Sequence, residues 1–234
     1  MFSIADNLKN VRQRIQKATK AAARPEHEVS LLAVSKTQPA EALLAAIEAG
    51  QRAFGENYVQ EAVDKQAALQ TLCTAAQWQA LSWHFIGPLQ SNKTRLVAEH
   101  FDWVHSIDRI KIARRLSEQR LAEKGPLQVC LQVNIDDEAS KAGVALSELP
   151  QLVDAVMALP NLQLRGLMTI PAATDDADQT RASFARMHTA FLELAQQCAS
   201  VDTLSMGMSG DLELAVANGS TMVRVGTAIF GARH

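Results

Sequence analysis

Cysteine is scarce in this chain: Cys73, Cys130 and Cys198 are the only three in 234 residues, and they stand far apart. That spacing supports neither a disulfide framework nor a zinc knuckle, and it predicts plain thiols in a reducing compartment. Aromatic residues make up 5% of the chain, with Tyr58 the sole tyrosine. Charge of one sign is also missing. The formal net charge is −2 and the basic residues are scattered, so nothing marks a nucleic-acid or anionic-membrane surface. No stretch approaches the roughly 18 consecutive apolar residues of a membrane span. The opening "MFSIADNLKNVRQRIQKATK" lacks the apolar core of a signal peptide. His100 and His105 in "HFDWVH" have no carboxylate or cysteine at ligand spacing, so no metal site is expected. These absences predict a cytoplasmic globular protein, and 47% hydrophobic residues are enough for one domain spanning 1–234.

What is present is a repeating alternation. Ile4, Leu8, Val11 and Ile15 recur at helical spacing, and Ser3 with Asp6 resembles a capping box, so residues 1–24 read as an N-terminal helix ended by Arg24 and Pro25. The strand "VSLLAVSK" follows, and strands are then read at "RAFGEN", "SWHFIG", "DWVHSID", "LQVCLQVNI", "LQLRGLMTI", "TLSMGMS" and "TMVRVGT". A helix, or the start of one, follows each; the last residues, "AIFGARH", read as a short tail. Several strands are nearly unbroken apolar runs, as in a parallel sheet covered on both faces. Eight such units point to an α/β fold, a single (β/α)8 TIM barrel with an extra N-terminal helix packed on it. A doubly wound open sheet shares the local pattern, and the count of eight favours the barrel.

In such a barrel the chemistry gathers where strands end. Those positions carry Lys36, Glu56, Asn57, His84, Ser106, Asp108, Asn134, Asp136, Met168, Thr169, Ser205 to Ser209, Arg224, Gly226 and Thr227. Two stretches have the form of anion cradles: Gly207, Ser209 and Gly210 precede one helix, and Gly226 with Thr227 follows the last strand. Either alone also reads as a tight turn. Both together, with a lysine at the end of the first strand, suggest pyridoxal 5′-phosphate held as a Schiff base on Lys36 and anchored by its phosphate.

"LLAVSKTQP", "FGENYVQE", "WHFIGPLQSNK", "GLMTI", "SMGMSGDLELAV" and "GSTMVRVGTAIFGAR" resemble, in order and over nearly the whole chain, the YggS/PROSC family of pyridoxal-phosphate homeostasis proteins. The resemblance implies a single barrel like the N-terminal domain of alanine racemase (a fold-type III arrangement), with the cofactor on Lys36. It also implies that Ser209, Gly226 and Thr227 lie on the phosphate loops and Arg224 near the pyridine nitrogen, while Asn57, His84, Met206 and Gly207 line the pocket. Lys141, in "DEASKAGV", matches a lysine-bearing loop of the family, with two readings open: a secondary site for holding or passing on the cofactor, and a solvated loop lysine. Gly210 stands at a position that varies in the family and leaves Asp211 in register.

Arg224 bears on mechanism. A guanidinium beside the ring nitrogen disfavours its protonation and weakens the cofactor as an electron sink; pairing of Arg224 with Asp211 or Glu213 is the structural alternative. Racemisation needs a second base, which alanine racemases take from an additional domain. The chain stops at His234, eight residues past Gly226, so that domain is expected to be absent. The resemblance therefore implies a non-catalytic role: binding the aldehyde, buffering its level and passing it to apo-enzymes that use pyridoxal phosphate, as a monomer. Two other readings stay open here, a weak amino-acid racemase with Tyr58 or His84 as second base and a cofactor-free Schiff-base aldolase.

Overall fold

A computed structural model describes residues 3–138 and 141–231. Eight parallel strands close into a barrel in chain order: β1 (Ser30–Val34), β2 (Ala53–Glu56), β3 (Ser82–Phe85), β4 (Trp103–Ile107), β5 (Leu127–Gln132), β6 (Leu162–Met168), β7 (Thr203–Ser205) and β8 (Met222–Val225). Closure is made where β1 pairs with β8, Ser30 opposite Met222 through Ala33 opposite Val225. This is the closed barrel, and the open-sheet alternative falls.

The helices that cover it are α1 (Ile4–Ala21), α2 (Ala40–Glu48), α3 (Val59–Leu72), α4 (Ala75–Gln79), α5 (Thr94–His100), α6 (Ile110–Gln119), α7 (Leu149–Met157), α8 (Ala177–Gln197), α9 (Leu212–Ala217) and α10 (Thr227–Phe230). Between them and the strands lies the main apolar core, with Phe54, Phe85, Val104, Leu131, Leu167, Leu204 and Val223 on the strand side. Aliphatic and aromatic side chains fill this layer because each strand must be covered by a helix to leave water.

The helix starts and stops have local causes. Ser3 Oγ accepts the Asp6 N–H at 3.1 Å while Asp6 accepts the Ser3 N–H, the expected capping box. Gly50, at φ +85°, ends α2 in the left-handed conformation that glycine adopts without cost. α6 stops at Gln119, earlier than the polar run to Gly125 suggests. Arg120 turns extended there, and its buried guanidinium donates to the carbonyls of Ala98 and Phe101 at 2.7 Å and of Gly125 at 2.9 Å. It thereby satisfies the C-terminal carbonyls of α5, which outweighs one more turn of α6. The short helix α4 and the turn α10 were not legible in the sequence; what reads as a tail is a helical turn whose Ile229 is buried.

α1 packs against α2, α9 and α10 through Leu8, Val11, Ile15 and Ala18. Asn7 donates to the Ile229 carbonyl at 2.8 Å, and Arg14 pairs with Glu213 at 2.7 Å while donating to the Ser209 carbonyl at 3.0 Å. The added helix is thus fastened to the same wall of the barrel that carries the last two strand-end loops. Among the described residues, no helix is long and apolar enough to cross a membrane.

Candidate functional site

The strand ends gather at one mouth. Lys36 follows β1, and a small cleft there is lined by Val34, Lys36, Gln38, Gly226, Thr227 and Gly231. The amine-bearing residue and the loop after β8 therefore meet, as the sequence suggests. Ser209, from the loop after β7, joins them: the Thr227 hydroxyl donates to Ser209 Oγ at 3.3 Å. Small residues are required at two points. A Cβ on Gly226 would come 3.0 Å from the Val34 carbonyl, pressing on the end of β1 next to Ser35 and Lys36. Gly207 sits at φ +95°, and a Cβ there would lie 2.5 Å from that of Ala215.

Beneath the mouth a polar chain crosses the barrel interior. Arg224, 4% exposed, donates to Ser205 Oγ and to the Thr169 carbonyl, both at 2.9 Å. Ser205 Oγ lies 2.9 Å from His105 Nδ1, His105 Nε2 lies 2.9 Å from His84 Nδ1, and His84 Nε2 lies 3.0 Å from Ser82 Oγ. A guanidinium only donates, so Ser205 Oγ accepts from Arg224, while the donor and acceptor roles along His105, His84 and Ser82 follow the histidine tautomers. Burial pushes His84 down to about 3, and burial with the neighbouring His84 and Arg224 holds His105 well below the usual imidazole range. Both rings are neutral at physiological pH.

Arg224 itself is pushed down to about 10 by burial, with Asp211 pulling the other way, so it remains a cation. Among the described residues no carboxylate reaches it: Glu213 is paired with Arg14, and Asp211 Oδ1 accepts the Met208 N–H at 2.6 Å. The structural alternative for this arginine is thereby removed. Arg224 is thus a buried cation with no ion-pair partner among the described residues, below loops rich in small and hydroxyl residues.

The remaining sequence-derived residues fall elsewhere. Asn57, with Oδ1 buried and without a partner among the described residues, lines a neighbouring cleft between the loops after β2 and β3, together with Tyr58, Phe85, Pro88 and Lys93. His84 reaches the mouth only through His105 and Ser205. With both nitrogens engaged and its pKa so low, it has no capacity to act as a base at neutral pH. Met206 is fully buried in the helix-facing core, and its backbone is spent, its N–H on Met222 and its carbonyl on the Ser220 hydroxyl. Tyr58 is 56% exposed on the rim, and Ile170 and Met208 are exposed there too, at 39% and 41%. Lys141 ties two loops together, pairing with Glu138 at 2.9 Å and donating to the Pro171 carbonyl; Ala139 and Ser140 of the same loop lie outside the described residues.

Two functional candidates were missed. His105 is a fixed member of the interior chain; the period-two face of β4, which puts it beside Trp103 and Ile107, was the available signal. Lys65, in "VDKQ", carries no sequence signal for its burial.

Comparison with known proteins agrees with this geometry. The family model described as alanine racemase, N-terminal domain, matches residues 6–234. A pyridoxal phosphate homeostasis protein of Pseudomonas aeruginosa is 57% identical over 233 residues, covering 100% of this chain and 97% of the relative. The structure of PipY from Synechococcus elongatus PCC7942 with PLP bound superposes with a TM-score of 0.82 at 41% identity, covering 98% of this chain and 100% of that one. Alanine racemase from Corynebacterium glutamicum, at 17% identity, shares the fold with a TM-score of 0.70, covering 98% of this chain and 61% of its own.

Proposed function

Since the chain belongs to the alanine racemase N-terminal-domain family, and within it to the pyridoxal phosphate homeostasis proteins, we propose that it binds pyridoxal 5′-phosphate on Lys36 and serves to hold and hand over that cofactor rather than to catalyse. The observation that carries the reading is the meeting of Lys36 with Gly226 and Thr227 in one cleft. When bound, pyridoxal phosphate supplies an aldehyde that condenses with a lysine amine, and a phosphate that needs anchoring at the far end of the ring.

The residues present fit that group. Gly226 and Gly207 let the backbone of the loops after β8 and β7 pack directly against Val34 and Ala215, where a side chain would collide. Ser209 and Thr227 offer hydroxyl donors, and the backbone around them is short-chained enough for close approach of an anion. Arg224 supplies the buried positive charge beneath, held in place by Ser205 and Thr169. Arg224 remains a cation above neutral pH and, with the ring nitrogen beside it, would disfavour protonation of that nitrogen and so carbanion chemistry. Asn57, in the neighbouring cleft on the β2 side, would contribute its buried, unpartnered Oδ1 from there. His84 acts from beneath, by holding His105, whose other ring nitrogen meets the Ser205 hydroxyl that accepts from Arg224. Met206 and Gly207 serve through the backbone path that places Ser209.

A base for abstracting a substrate proton is not supported among the described residues. His84 is neutral and committed, and Tyr58 sits exposed on the rim. The exposed Tyr58, Ile170 and Met208 suit transient contact with apo-enzymes that take up the cofactor. Action as a cytoplasmic monomer belongs to the same proposal, as does the single-domain organisation over 1–234.

The test is the near-ultraviolet and visible absorbance of the purified protein after incubation with pyridoxal phosphate, beside a Lys36→Ala variant. A new band that is absent in the variant supports the reading. Equal spectra would remove Lys36 from the site, and trapping by a sugar phosphate in place of pyridoxal phosphate would bring an aldolase forward.

A further inference from the structure

Lys65 lies on α3 with its side chain 7% exposed, deep between the ends of β1 and β2. Its ammonium makes three short contacts: to the Ser35 carbonyl, to Glu56 Oε1 and to Glu61 Oε1, each at 2.7 Å. Three donors meet three acceptors, so the charge is fully engaged. The acceptors in turn grip the residues on either side of Lys36. Glu56 Oε1 takes the Ser35 hydroxyl proton at 2.6 Å, and Glu61 Oε1 takes the Thr37 N–H at 2.6 Å.

The chain between these grips is a tight turn, with the Gln38 N–H donating to the Ser35 carbonyl at 3.1 Å. Thr37, in its third position, has φ +64°. A β-branched residue in the left-handed region is strained, and such strain persists only where the surroundings impose it. Burying an ion pair is also a poor route to stability, since desolvation offsets the attraction. Strain and a buried charge cluster thus converge on the two neighbours of one lysine.

We propose that Lys65 is a positioning residue for Lys36: through Ser35, Glu56 and Glu61 it holds the strained Ser35–Gln38 turn so that the Lys36 amine is presented to the phosphate loops in one orientation. The proposal rests on the reading of Lys36 as the cofactor lysine. It assigns Glu56 and Glu61 their roles as well, the first fixing the hydroxyl side of the turn and the second its amide side. The contacts of Lys65 run to the backbone on both sides of Lys36, through Ser35, Glu56 and Glu61.

Two variants separate positioning from general support. Glu61→Gln removes one charge at a half-buried position and leaves the Lys65–Glu56 pair; Lys65→Met removes the hub. Three quantities are measured on each: amide hydrogen exchange at Thr37 against Leu32 and Ala33, the rate of borohydride-trappable capture of pyridoxal phosphate at Lys36, and the affinity for inorganic phosphate. The expected result is exchange at Thr37 faster by about tenfold or more with β1 unchanged, capture slower by a similar factor, and phosphate affinity unaltered. Exchange at Thr37 unchanged in both variants would overturn the proposal, as would wild-type capture rates on a loosened turn. A parallel fall in phosphate affinity would also overturn it, by showing that the whole mouth had collapsed. If the wild-type protein itself captures nothing, the cofactor reading fails instead, and exchange at Thr37 still decides whether the network holds the turn.

Discussion

Lowering the pH from about 7.5 to about 5.5 should destabilise this protein through the two histidines of the barrel interior, by an amount that follows from their burial. Burial holds His84 near 3 in the folded state against 6.5 for an ordinary imidazole, and His105 is likewise held far down. Over that pH window the folded rings take up essentially no proton, while the unfolded chain's rings do. The stability they contribute is therefore complete above about pH 6.5 and is lost progressively as pH falls towards the folded value. For one such ring the unfolded state gains a factor of about ten, which is about 1 kcal/mol. Two rings give about 2–3 kcal/mol. With a urea m-value of about 2–3 kcal/mol/M for a domain of this size, the midpoint should fall by about 1 M. Glu56, whose carboxyl is raised by burial against the pull of Lys65, acts in the opposite sense at the acid end. His188, also lowered by burial, adds a smaller loss of the same sign. The comparison that isolates the pair is therefore His105→Asn beside wild type, which should lose about half of the pH-dependent shift. Urea titrations followed by circular dichroism at both pH values measure it. A wild-type midpoint that stays constant from pH about 7.5 to 5.5 would refute the assignment of two neutral, hydrogen-bonded interior histidines.

Other expectations are simpler. Gly207→Ala should cost about 2–4 kcal/mol, from the left-handed backbone and the overlap with Ala215, and thermal unfolding will show it. Leu8→Ala, at a fully buried position of α1, should cost about 2–5 kcal/mol and loosen the wall beneath the loops after β7 and β8. Arg14→Ala breaks a partly exposed pair with Glu213, worth at most about 1 kcal/mol after solvent screening. Through the lost bond to the Ser209 carbonyl it should weaken inorganic phosphate binding by more than that stability change implies, as calorimetry will report. Arg224→Gln should lower affinity for pyridoxal phosphate by about tenfold to a hundredfold while leaving the secondary structure intact, read by cofactor fluorescence and far-UV circular dichroism.

The eight strands were legible because parallel strands covered on both faces leave long apolar runs, and "LLAVSK" shows where such a run must stop. Lys36, Gly226 and Thr227 were legible for the same reason: strand-end positions can be read once the strands are placed. α10 was not, since four residues carry no period and its burial comes from α1, far away in the chain. α6 ended early because Arg120 found carbonyls on α5, a long-range partner that no local propensity contains. Lys65 reads as an ordinary helical lysine; only the ends of β1 and β2 beside it turn it into a buried hub. His84 was placed at the correct strand end, yet its hydrogen bond to His105, on the neighbouring strand, depends on barrel register rather than on sequence spacing.

The central claim is that Lys36 is the residue that carries pyridoxal phosphate. Incubation of the full chain with the cofactor, reduction with borohydride and peptide mass mapping test it most directly. A single reduced pyridoxyl adduct is expected, on the peptide containing Lys36. An adduct confined to Lys141 or another lysine, or none at all, would contradict it.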